Sequence, residues 1–144
     1  MSQKLVEIAL SQYGVKEIAG DRNNMTIVNY AKEAGHTWVD DDETPWCSIF
    51  VDWVCMKAGL ERTHKANARS WLEIGDVPAY PQMGDIVVFR RGNSSWQGHV
   101  GIFINIDEDG LINVLGGNQG NQVSIRLYRD KDLLGFRRLK EIKQ

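Results

Sequence analysis

The chain has 144 residues, and 17 basic against 19 acidic side chains leave a formal charge of −2. At this length one domain covering 1–144 is expected, and 42 % hydrophobic with 25 % charged residues excludes a disordered or collagen-like chain. Apolar runs no longer than the order of Ile86-Val87-Val88-Phe89 exclude a membrane-spanning helix of about 20 residues, so no membrane insertion is expected. The first half is predicted helical. Leu5, Ile8, Ala9 and Tyr13 fall on one stripe over residues 3–13, with Ser2 as N-cap and Gly14 as the stop. A second helix is predicted from Asn23 or Asn24, through Ile27, Tyr30, Ala31 and Ala34, to Gly35. An acidic loop, Asp40-Asp41-Asp42-Glu43, leads to a third helix over 45–58 stopped by Gly59, and a shorter fourth over 65–74. After Pro78 and Pro81 the pattern changes to strands, predicted at 85–90, 99–106, 111–115, 123–128 and 135–139. Helices first and an antiparallel meander of five to six strands second define an α+β fold.

The N-terminus, Met1-Ser2-Gln3-Lys4, runs into an amphipathic stretch containing Glu7 and has no signal-peptide core. Synthesis in the cytoplasm without a Sec-type signal is therefore expected, with any action outside it requiring delivery. Charge is uneven: residues 1–60 carry −4, residues 61–125 carry −2 and residues 126–144 carry +4. A basic end can attract an anionic polymer, or be a solvated strand. The acidic chain lacks zinc-finger and RNP-like motifs, so no nucleic-acid partner is expected.

Two cysteines, Cys47 and Cys55, are too few for a disulfide scaffold. Eight residues apart on one helix, they stand about 12 Å apart along its axis, beyond disulfide reach. Thr44 as N-cap and Pro45 at the first helical position place Cys47 at the third, where unpaired N–H groups and the helix dipole favour a thiolate. Phe50, Val51, Val54 and Ala58 share its face, so the thiol is expected to look toward the sheet. The residues alone leave two readings of Cys47 open, a nucleophile and a small buried hydrophobe; Cys55, mid-helix, fits the second.

A thiol nucleophile needs a base. His36 follows a helix-ending glycine and His64 sits among charges, so both are expected at the surface; His99 follows Gly98 and opens an apolar strand, within reach of a helix N-terminus. A third polar group usually orients such a base. Asn113 and Asn118, 14 and 19 residues after His99, are the candidates.

Four ordered blocks then carry a resemblance. Trp46-Cys47-Ser48-x-Phe50-Val51-x-Trp53, Gly84-Asp85-Ile86-Val87-Val88-Phe89, Gly98-His99-Val100-Gly101 and Val114-Leu115-Gly116-Gly117-Asn118-Gln119 resemble the CHAP family, cysteine, histidine-dependent amidohydrolases/peptidases related to NlpC-type cell-wall peptidases and the papain-like fold. The likeness runs from about residue 14 to 128 and is nearest to small single-domain phage lysis enzymes and bacterial toxin domains. It implies Cys47 as nucleophile, His99 as general base and then acid, and Asn118 as orienter, ahead of Asn113; many members have a further glutamate where this chain has Gly116. It implies peptidoglycan as substrate, cut at an amide of the wall peptide through a thioacyl enzyme, with Trp46, Trp96 and Gln119 as groove walls. Trp46 has an equal reading as a packing residue, and Trp53 and Trp71 are read as core.

No cofactor is expected, and no metal: the run Asp40 to Glu43 lacks the ligand alternation and turn glycine of a calcium loop, leaving a solvated loop or a site for a substrate amine. The expected role is phage lysis by a monomer acting on the cell wall after release by a holin. An antibacterial effector with an immunity partner, a wall-binding module without catalysis, and a cytoplasmic thiol hydrolase acting on another amide are the alternatives.

Overall fold

The computed structural model describes residues 3–18, 24–39 and 45–142. Helix α1 spans Gln3–Leu10, α2 Met25–Glu33 and α3 Cys47–Ala58, and a 3-10 helix covers Ala68–Glu73 where an α-helix over 65–74 is predicted. Five strands follow: β1 (Ile86–Arg90), β2 (Gly98–Ile106), β3 (Ile112–Gly116), β4 (Ser124–Tyr128) and β5 (Leu133–Arg137). They form one antiparallel sheet in the order β4-β3-β2-β1-β5. The predicted α+β architecture is the observed one, with most boundaries displaced by one or two residues. No helix among the described residues is long and apolar enough to cross a membrane.

α1 stops three residues earlier than its apolar stripe predicts because the chain leaves to pair with the sheet. Gly14 N–H donates to Val123 O (2.9 Å), Val123 N–H to Val15 O (2.8 Å) and Glu17 N–H to Asn121 O (2.8 Å). α2 starts as predicted: Asn24 is extended and its side chain accepts from Thr26 N–H at 2.9 Å. α3 ends at Gly59, whose φ of 73° only glycine adopts freely, with Leu60 N–H closing on Cys55 O at 3.0 Å.

α3 is the centre of the molecule. An apolar face was expected, yet every residue from Cys47 to Cys55 is buried, because α1 and α2 pack on it from one side and β2 and β3 from the other. Tyr30, Trp46, Phe50 and Trp53 interlock there with ring centroids 4.7–6.4 Å apart, and Trp53 and Trp71 are core residues as read from the sequence. Ile86, Val88, Val100, Ile102 and Leu115 face this core. The alternate residues Val87, Phe89, Phe103, Ile112 and Val114 form a second, smaller cluster, covered by Tyr128, Leu133 and Phe136. Central strands with both faces covered read as continuous apolar runs, as 86–89 does.

Full burial of α3 includes a charge. Asp52 is wholly buried, and its carboxylate accepts from His36 Nε2 (2.9 Å), Arg62 Nη1 (2.9 Å) and His64 N–H (3.1 Å). His36 is therefore a core residue, not the surface histidine predicted: Gly35, at φ 93°, turns the chain back so that its ring meets Asp52. His64 is exposed. Removing one member of a buried charge set leaves the others uncompensated, which costs about 3–5 kcal/mol. Asp52→Ala is expected to lose stability on that scale in urea unfolding.

Candidate active site

α3 begins at Cys47, two residues later than the Thr44-Pro45 pattern predicts. Trp46 (φ −123°, ψ 15°) is the N-cap and its side chain makes no capping bond; Thr44 lies outside the described residues. The first helical bond runs from Phe50 N–H to Trp46 O at 2.8 Å, so the amides of the first turn, including that of Cys47, have no helical acceptor. Ser48 Oγ donates to Lys65 O (2.6 Å) and accepts from Trp71 Nε1 (2.8 Å), which fixes this turn. Trp46 itself is buried, its indole N–H bound to Glu17 at 2.7 Å. Of its two sequence readings the packing one holds, and Trp46 is not a groove wall.

His99 stands near the start of β2, opposite Phe89 of β1, and is buried. Its Nε2 lies 2.8 Å from Gln119 Oε1. Gln119 was expected to line a groove. Instead it is only 2 % exposed, and all its polar capacity is committed: Nε2 donates to Val114 O (3.0 Å) and Ser124 O (2.7 Å), while Oε1 also accepts from Tyr128 Oη at 3.1 Å. Two carbonyl acceptors on one side oblige that side to be the NH₂ group, so the oxygen must face His99. The imidazole is then an Nε2–H donor, and Nδ1 carries the lone pair. Tyr128 also stacks on the His99 ring at 5.2 Å, and on Phe89 at 4.6 Å. The tautomer and the ring plane are both set.

Asn118, predicted as the orienter, makes no contact of this kind. Its φ of 57° is left-handed, and this turn leaves Asn118 partly exposed in the loop while its neighbour Gln119 is buried against His99. Glycines make the space. A Cβ on Gly116 would stand 2.8 Å from Gln119 Oε1, and one on Gly117 would stand 2.7 Å from Trp46 and Phe50. The space beside Gly116 is thus filled by an amide reaching back from three residues later. Asn113 is remote, bound to Asn105 at 2.8 Å near the far end of the β2–β3 pair.

Nδ1 of His99 is buried and has no partner of good hydrogen-bond geometry; with Nε2 engaged, it is the nitrogen left for the thiol. Burial pushes the Cys47 thiol up, but hydrogen bonding and charge from His99, the Val100 amide and the charge of Arg91 outweigh it and hold the thiol below its ordinary range. A Cys–His contact that is poorly aligned without substrate can tighten once substrate is bound. Cys55 is the opposite case: burial first, then the Asp52 carboxylate, drive its thiol well up. Iodoacetamide is therefore expected to label Cys47 and spare Cys55 in the folded protein. Because the reactive species is the thiolate, labelling of Cys47 should persist as pH falls below about 8.5, where an ordinary thiol is already mostly protonated. Peptide mapping across a pH series reads both.

Two clefts meet at this pair, with Arg91 bordering both. The first, about 320 Å³, contains Cys47, Asn67, Trp38 and Trp96. Trp96 is 71 % exposed, in keeping with its predicted exposure, and Trp38, which sequence reasoning missed, is 63 % exposed and lines the same cleft. The second, about 410 Å³, contains His99, Tyr128 and three arginines. Among the described residues no cluster of His, Cys, Asp and Glu could hold a metal ion; the run 40–43 lies outside them.

A thiol favoured as thiolate, an imidazole of fixed tautomer and a helix N-terminus beside them are the parts of nucleophilic amide hydrolysis. No curated protein matches the chain. Residues 38–118 match the family model of the CHAP domain. CHAP domains are amidases or peptidases, in general of the peptidoglycan-hydrolase type, and with more than half of its length matched, this chain belongs to that family.

Proposed function

We propose that the protein hydrolyses an amide bond of the peptidoglycan peptide through a Cys47 thioacyl intermediate, with His99 as base and acid and Gln119 as the group that orients it. The observation that carries this reading is the bond from His99 Nε2 to Gln119 at 2.8 Å, which leaves Nδ1 for the thiol. Cys47 thiolate attacks the carbonyl carbon, and the oxyanion gathers the free first-turn amides, that of Cys47 among them. Protonated at Nδ1, His99 gives its proton to the departing amine; it then takes one from the water that releases the acyl group. An amide orienter adds no charge, so the imidazolium is held by geometry and by the thiolate beside it.

Trp96 and Trp38 form the walls of the acyl-side cleft in this scheme. The reading extends to a lysis enzyme that works on the wall once delivered there. Mass spectrometry of muropeptides after digestion of purified sacculi tests it: a new amino terminus identifies the bond, muramoyl-alanine or within the stem peptide. Sacculi left intact by folded, reduced protein would refute the proposal. Expression with and without a periplasmic leader tests the lysis role, with lysis expected only on export.

A further inference from the structure

We infer that the cleft beyond His99 is a carboxylate subsite, in which Arg126, with Arg91, binds an acidic group on the residue that departs as the amine. The inference rests on the proposed hydrolysis and deepens it. The cleft is lined by Arg90, Arg91, His99, Asn118, Arg126 and Tyr128. Arg90 is already paired with Asp132 at 3.2 Å. The guanidinium groups of Arg91 and Arg126 make no hydrogen bond or ion pair among the described residues. This concavity therefore presents two cations without an acidic partner among the described residues. Both are near enough to act on the Tyr128 phenol, lowering its pKa against the larger rise from burial and from Cys47.

Arg126 also lies close to the loop that carries Gln119. Gly120 has φ 66°, and a Cβ there would collide with the Arg126 guanidinium, so the planar group lies against bare backbone one residue after Gln119. The guanidinium fork of Arg126 matches a carboxylate bidentately. Position decides which part of the substrate it meets. The thiol lies in the apolar cleft and His99 in this one, with Arg91 common to both, so a substrate that reaches from the thiol past the imidazole brings its departing side to Arg91 and Arg126. The apolar cleft on the thiol side is left for the acyl portion. The positive end of the chain seen in the sequence thus includes one residue, Arg126, turned to the site.

The test is calorimetric binding to the Cys47→Ala protein, which binds without turnover. The probes are a peptidoglycan stem peptide with free carboxyl groups and the same peptide with its carboxyl groups converted to carboxamides. The acid is expected to bind at least about tenfold more tightly, which one well-formed charged contact supplies. Arg126→Ala should bring that ratio near one, and Arg126→Lys should retain part of it. Arg126 is exposed, so an unchanged thermal midpoint is expected for both variants. Equal binding of the two peptides, no binding of either, or a preference that survives Arg126→Ala overturns the subsite. Failure of the hydrolase reading would be seen separately, as wild-type protein that leaves sacculi intact.

Discussion

Cys47→Ala is expected to abolish wall hydrolysis, by about 10⁴-fold or more, while the protein stays folded. The size follows from removing the nucleophile of a concerted set, in which the remaining groups cannot substitute for it. The fold should survive because the change deletes one sulfur from the edge of the core, a loss on the order of 1 kcal/mol. Cys55→Ala is the matched comparison. It deletes the same atom from a more deeply buried position on the same helix, should cost similar stability, and should leave turnover intact. Zymography with circular dichroism on both variants reads the difference. A folded Cys47→Ala protein that still clears sacculi would refute the cysteine mechanism.

The second large effect is expected at Gln119. Gln119→Ala removes the acceptor that fixes the His99 tautomer, and also orphans the carbonyls of Val114 and Ser124 and the Tyr128 hydroxyl. Turnover should fall about 10²-fold or more, mainly in kcat, with about 1–3 kcal/mol of stability lost for buried groups left unpaired. The more telling variant is Gln119→Glu. A carboxylate keeps an acceptor for His99 but turns its other oxygen on two carbonyl oxygens, with no proton to offer. The buried glutamate must either take up a proton or repel its surroundings, so this near-isosteric change should destabilise the protein at neutral pH and do so less as pH falls. Asn118→Ala should change turnover little. The network, in which the neighbours are donors to one end of the side chain and acceptors to the other, explains why an amide and not an acid stands here.

The same residues show where the sequence was legible. Helix stops at Gly59, the capping Asn24 and the five strands follow from local chemistry, and the pairing of Cys47 with His99 follows from their places at the start of a helix and of a strand. The orienter did not. Asn118 and Gln119 are adjacent polar amides in a glycine-rich loop, and which one turns inward is decided by a left-handed φ at Asn118 and by the absence of a side chain at Gly116. Neither is visible without the fold. His36 was misplaced for a related reason. Its partner Asp52 lies sixteen residues on, at a position enclosed only when the turn after α2 and the segment 62–64 close on α3. Tyr128 and Trp38 had no local signal, since their roles depend on strands and loops distant in sequence.

The attachment of segment 14–17 to the loop carrying Gln119 bears on how far this domain can be trimmed or transplanted. Glu17 anchors the indole next to the nucleophile, and Lys16 bridges to Gln122 beyond the orienter. The recognisable family segment ends at 118, one residue short of Gln119 and ten short of Tyr128. An excised 38–118 piece would carry the thiol and the imidazole without Glu17, Gln119 and Tyr128, which position the neighbouring indole and the imidazole. A portable lytic module cut from this chain must begin ahead of Gly14 and run through β5.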